Sequence, residues 1–194
     1  MFQITLTSHG YTLAAKGTTL PLTPYLLHEE QMYRRLRPIQ GIHVPVCLGH
    51  IDLVESLPYE GVVDLVHMML MSFGGRPIYD CLKAEKESRI IEAATSSMQA
   101  VHRLGVLHRD ASARTLLWNQ ETEQVTVIDF ESAELPRPRP ALSEISPNRK
   151  RQWEDASTST TTEADPRRRV QYANEIKAMT AGLEGYFRAH SRQG

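Results

Sequence analysis

Four charged residues in this chain have the types and the order that phosphate chemistry needs. Lys16 ends the stretch LAAK, Glu29 follows in HEEQM, Asp110 lies in HRDASARTLLWN, and Asp129 lies in VIDFE. Moving a phosphoryl group is mostly positioning and electrostatics. It requires neutralised charge around the phosphates and a carboxylate that orients the attacking hydroxyl. A lysine at a strand end can reach phosphates, and a carboxylate at a strand end, 19 residues beyond another, suits a magnesium ligand.

The elements that must position these groups are legible in the spacing. QITLTSHGYTLAAKG alternates apolar and polar residues on both sides of His9-Gly10, which predicts a β-hairpin with Lys16 near the end of its second strand. PYLLHEEQMYRRLRP places Leu26, Leu27, Met32, Tyr33 and Leu36 at helical spacing and stops at Pro38. Glu29 then falls on the polar face, with Met32, Tyr33 and Leu36 packing inward, and this register prefers Glu29 to its neighbour Glu30. VPVCLGHIDLV and VVDLVHMMLMSF predict two buried strands joined by a turn containing Pro58 and Gly61. ESRIIEAATSSMQAVHRLG predicts a helix ending at Gly105, and TLLWN with VTVIDF a short hairpin bridged by QETEQ.

These phrases, together with IQGIHVPVCLGHIDL, MSFGGRP and ISPNRKR, resemble the eukaryotic protein-kinase fold and a group of short fungal kinase-like proteins, over roughly residues 3–151. The resemblance implies an abbreviated two-lobed α+β fold: a small antiparallel sheet with one helix, then a reduced helical lobe. It implies ATP and Mg2+ as ligands. Lys16 corresponds to the phosphate-binding lysine, Glu29 to its ion-pair partner, Asp110 to the catalytic base, and Asp129 to the metal-binding aspartate. Arg114 matches an arginine of the catalytic loop that could touch the γ-phosphate. Met71 to Gly74, Ser72 included, would form the hinge facing adenine, with Ala14 and Leu117 above and below the ring. Tyr33, His108 and Phe130 would stack between the lobes.

The departures are as informative. Thr115 stands where the family carries an asparagine that holds a second magnesium, and a hydroxyl is a weaker and shorter metal ligand. Glu131 replaces the glycine of the DFG turn and adds negative charge beside the metal. No glycine-rich phosphate loop precedes Lys16, and no APE motif follows. The expected function is an ATP- and magnesium-binding domain with slow transfer to protein hydroxyls. The alternatives are an inactive pseudokinase that serves as a scaffold, and a chain whose upstream segment supplied the missing loop.

Other signals resolve to simpler readings. HEEQM begins like a zinc-protease HExxH, but Met32 holds the place of the second histidine. HMMLMSF reads as buried strand packing, since methionine fills irregular gaps. The formal net charge of -1 and a pI of about 6.7 give no global case for nucleic acid or an anionic membrane as a partner. Cys47 and Cys81 are far apart and suggest neither a disulfide framework nor a zinc site. The stretch Val62 to Phe73 is too short and too interrupted to span a membrane, and a cytoplasmic location is expected. RKR at 149–151 and RRR at 167–169 raise nuclear import as a second possibility. From Pro136 the composition turns to proline, serine, threonine and charge. The expected organisation is a kinase-like domain over 1–151, a disordered linker over 152–166 and a helix over 167–194. The protein substrate or partner is not readable.

Overall fold

The computed structural model describes residues 1–7, 9–59, 61, 63–80, 86–135 and 166–190. Its first half is an antiparallel sheet that carries one helix. The expected hairpin is β1 (Phe2–Leu6) against β2 (Tyr11–Thr18), with Lys16 two residues from the end of β2. Helix α1 (Thr23–Arg35) follows, with Pro24 in its first turn and Arg34 and Arg35 in its last, where cations favour the helix dipole. Strands β3 (Cys47–Tyr59) and β4 (Val63–Ser72) complete a sheet of order β1-β2-β4-β3. Strand β4 is central, and Met68, Met69 and Met71 are buried in it.

Two expectations change here. Strand β3 is not buried: it is the sheet edge, most of its side chains are exposed, and it runs through Pro58 to Tyr59. An edge strand tolerates a proline because one row of its backbone groups has no ladder partner. Glu29 is not on a solvated polar face either. It is fully buried, beside Met32 and Tyr33, because its carboxylate has partners inside the fold.

The second half comprises β5 (Arg76–Pro77), α2 (Glu87–Arg103), β6 (Leu116–Asn119), β7 (Gln124–Val127) and α3 (Pro166–His190), with β5, β6 and β7 forming a three-stranded antiparallel sheet. Helix α2 ends as expected: Gly105 has φ 84° and its amide bonds the His102 carbonyl at 2.8 Å, a left-handed cap that glycine adopts at little cost. Gly75 is fixed for a different reason. Its φ is 128°, and a Cβ there would lie 2.6 Å from the Trp118 carbonyl oxygen.

One apolar core runs through both halves. Leu26 and Tyr33 of α1, Met71 of β4, Met98 of α2 and Phe187 of α3 all belong to it. Helix α3 is therefore packed into the same core as the sheet, through Met179, Leu183 and Phe187. The linker expected over 152–166 lies outside the described residues apart from Pro166, which opens α3, as does the RKR cluster. RRR at 167–169 sits in the first turn of α3. The mixed α+β architecture, a small sheet with one helix followed by a short helical portion, is that of a reduced kinase-like fold.

Candidate active site

Strand alternation puts Ala14 and Lys16 on one face of β2, while Ala15, on the other, is fully buried. From that face the Lys16 ammonium reaches three carboxylates. Nζ lies 2.7 Å from Glu29 Oε2, 2.7 Å from Asp129 Oδ1 and 3.1 Å from Glu131 Oε2. Burial opposes the charge on Lys16, but the attraction of Glu29 and the hydrogen bonds to Asp129 and Glu29 outweigh it and hold the pKa above the ordinary lysine value. Burial pushes Glu29 up, partly offset by Lys16. The other oxygen of Glu29 accepts the Phe130 backbone N–H at 3.1 Å, so α1 is tied to both β2 and the VIDFE turn.

The HRD loop is held from several sides. His108 is buried; its Nε2 bonds the Ile128 carbonyl at 2.9 Å, and its Nδ1 accepts the Asp110 amide at 3.2 Å. A carbonyl only accepts and an amide only donates, so these partners require the neutral ring with its proton on Nε2. The ring of Phe130 packs between His108 (centroids 4.8 Å apart) and Tyr33 (5.3 Å), which brings together the three rings expected to stack. Arg109 and Asp129 both take left-handed backbone conformations, φ 71° and 69°. Non-glycine residues in this region cost roughly 1–3 kcal/mol each and gather at functional sites.

Asp110 faces Arg114, whose Nη2 lies 2.8 Å from each carboxylate oxygen. Thr115 is buried, and its hydroxyl is used within the loop. It donates toward the Asp110 or Ser112 carbonyl, at 3.0 and 3.1 Å, and accepts the Ser112 amide at 3.1 Å. The Thr115 hydroxyl, expected as a metal ligand, thus spends its one proton and one of its two acceptor lone pairs within the loop. Oxygens of Glu29, Asp129 and Glu131 lie within 4.8 Å of one another, but Lys16 Nζ contacts an oxygen of each, so the set as it stands is occupied by the ammonium. Asp129 remains the hard oxygen donor expected for magnesium.

Ala14, Met71, Ser72 and Leu117 all line one cavity of about 200 Å³, with Phe73, Gly74 and Ile128. None of the four charged side chains lines it, and its link to them is through Ala14, two residues before Lys16 on β2, and Ile128, next to Asp129. Ser72 itself is tied to Val46: its amide bonds the Val46 carbonyl and its hydroxyl accepts the Val46 amide, both at 2.9 Å.

Sequence reasoning missed Glu175. From α3 its carboxylate accepts His102 Nε2 at 2.7 Å, the Arg109 amide at 2.6 Å and the His108 amide at 3.2 Å. Burial would raise its pKa, but the hydrogen bonds from His102 and from the Arg109 and His108 amides outweigh it and lower the pKa. Nothing in YANEIKAM marks this residue, because its partners, one imidazole and two backbone amides, lie more than 60 positions away.

Burial also lowers the pKa of His108, and burial together with Arg103 lowers that of His43. A histidine depressed in the folded state contributes stability that is present above its unfolded value of 6.5 and is lost as pH falls below it. Glu29, raised by burial, works in the opposite sense, its contribution being complete only below its unfolded value of 4.5. Chemical denaturation is therefore expected to show lower stability at about pH 5.5 than at about pH 7.5. Equal or greater stability at the lower pH would contradict a buried neutral His108.

A lysine paired with a helix glutamate, an aspartate two residues past the end of β7 and not in the strand as expected, and a buried HRD histidine, set between a sheet and helices, define a protein-kinase-like domain. The chain belongs to the lipopolysaccharide kinase (Kdo/WaaP) family, whose family model matches residues 60–170. It is also 38% identical over 155 residues to the meiotic driver SPOK2 of Podospora anserina (strain S), a match that covers 78% of this chain and 19% of that protein. The chain thus spans about a fifth of the length of this curated relative. Among the described residues no helix is long and apolar enough to cross a membrane.

Proposed function

We propose that this domain binds ATP together with magnesium and transfers the terminal phosphoryl group, slowly, to hydroxyl groups of a protein. The observation that carries this reading is the Lys16 ammonium bridging Glu29 and Asp129 at 2.7 Å, with an apolar cavity walled by Ala14, two residues along the same strand, and Leu117. Lys16 binds phosphate oxygens, and Ala14 and Leu117 enclose the adenine ring. Met71 and Ser72 form the hinge; because the Ser72 amide is already bonded, the base is met by the neighbouring Phe73 and Gly74. Asp110 accepts the proton of the attacking hydroxyl, and Arg114 keeps that carboxylate oriented until substrate arrives. Magnesium, when bound through Asp129, supplies the charge neutralisation that the phosphates need.

The pseudokinase reading is favoured by one observation: the Thr115 hydroxyl is used inside its own loop. Thermal shift with ATP and magnesium, alongside transfer from labelled ATP to a generic protein acceptor, separates the two. The expected result is a higher melting temperature and slow transfer. A shift without any transfer would favour the pseudokinase, and no shift would remove the nucleotide from the account.

A further inference from the structure

Glu131 places a charge where it competes with the phosphate that Lys16 would hold. Its Oε2 lies 3.1 Å from an ammonium that Glu29 and Asp129 already contact at 2.7 Å. One positive against three negative groups leaves an excess of two negative charges when all are ionised. The three carboxylates are not equivalent. Glu29 is buried and bonded to the Phe130 amide, so it is structural. Asp129 and Glu131 are similarly exposed, 40% and 44%, but Asp129 holds the ammonium at 2.7 Å and Glu131 only at 3.1 Å. Glu131 is therefore the longest and most exposed of the three contacts, and the one most easily given up.

ATP brings further negative charge to this cleft. Without a cation it must displace Glu131 from Lys16 and also sit beside two more carboxylates, and both steps are electrostatically unfavourable. With a divalent cation present, the excess negative charge is offset, and Glu131 is drawn off the ammonium. We propose that Glu131 is a guard on Lys16, a specificity-determining residue that makes nucleotide binding conditional on a divalent cation. The inference rests on the nucleotide reading above and adds which residue sets its metal dependence.

The test is equilibrium binding of ATP to the full chain, by displacement of a fluorescent nucleotide analogue, in EDTA and in excess magnesium. Glu131→Gln keeps the shape and removes the charge, and Glu131→Ala controls for any new hydrogen bond made by the amide. In the wild type, binding in EDTA is expected to be far weaker than in magnesium. Both variants should tighten metal-free binding by about tenfold while changing binding in magnesium by less than about threefold. Unchanged metal-free binding in both variants overturns the proposal. A loss of about tenfold or more in magnesium also overturns it, since Glu131 would then be a metal ligand and not a guard. If the wild type binds nucleotide in neither condition, this inference and the nucleotide reading fail together. If it binds in magnesium and the variants match it in both conditions, only the guard fails.

Discussion

Lys16→Met is expected to destabilise the fold by about 3 kcal/mol near neutral pH and to remove nucleotide binding. The stability loss has a specific source. Glu29 is fully buried, and without the ammonium 2.7 Å away its carboxylate keeps only the Phe130 amide as a partner. Breaking a buried pair from one side is costly because it strands a desolvated charge. Burial already raises the Glu29 pKa, so the variant should recover part of its stability as pH falls and Glu29 takes up a proton. Adding Glu29→Gln to Lys16→Met should restore stability near neutral pH, since the second substitution removes the stranded charge, but it should not restore binding. The measurement is a double-mutant cycle by chemical denaturation, with ATP binding recorded in parallel. A Lys16→Met protein as stable as wild type would mean that the pair does not hold α1 to the sheet. A double variant that bound ATP normally would mean that Lys16 does not meet the phosphates.

What the sequence made legible were the elements with a period and the residues with a motif. The hairpin around His9-Gly10, the α2 stop at Gly105 and the short β6–β7 hairpin all follow from local rules, and the structure places them accordingly. The misreadings arise where tertiary contacts override local pattern. Helical spacing alone assigns Glu29 to a polar face, because a glutamate is ordinarily solvated; only the distant Lys16 and the Phe130 amide explain its burial. Strand β3 reads as buried from its valines and leucines, but its place at the sheet edge is decided by β2 taking the other side of β4. That the Thr115 hydroxyl turns back onto the Asp110 carbonyl was likewise not legible, since it is a matter of loop geometry. Glu175 was invisible for the same reason: a carboxylate that serves backbone amides leaves no signature of its own.

Asp110→Asn is expected to reduce phosphoryl transfer by about 10²–10⁴-fold while leaving the thermal shift produced by ATP and magnesium intact. The asparagine preserves the shape of the side chain, and the loop that carries it is held by groups the substitution does not touch: His108 on the Ile128 carbonyl, and Glu175 on the His108 and Arg109 amides. The substitution does remove the ion pair with Arg114, whose guanidinium is solvent-exposed, and such pairs contribute little to stability. The effect is therefore confined to chemistry, because an amide can neither accept the hydroxyl proton nor hold it as a base. Arg114→Ala provides the control for orientation. It should leave the Asp110 carboxylate in place but free to rotate, and so reduce transfer by less than Asp110→Asn does. Equal transfer by wild type and Asp110→Asn would show that the activity measured does not use this carboxylate. A loss of the ATP-induced shift in Asp110→Asn would place Asp110 in nucleotide binding and not on the acceptor side.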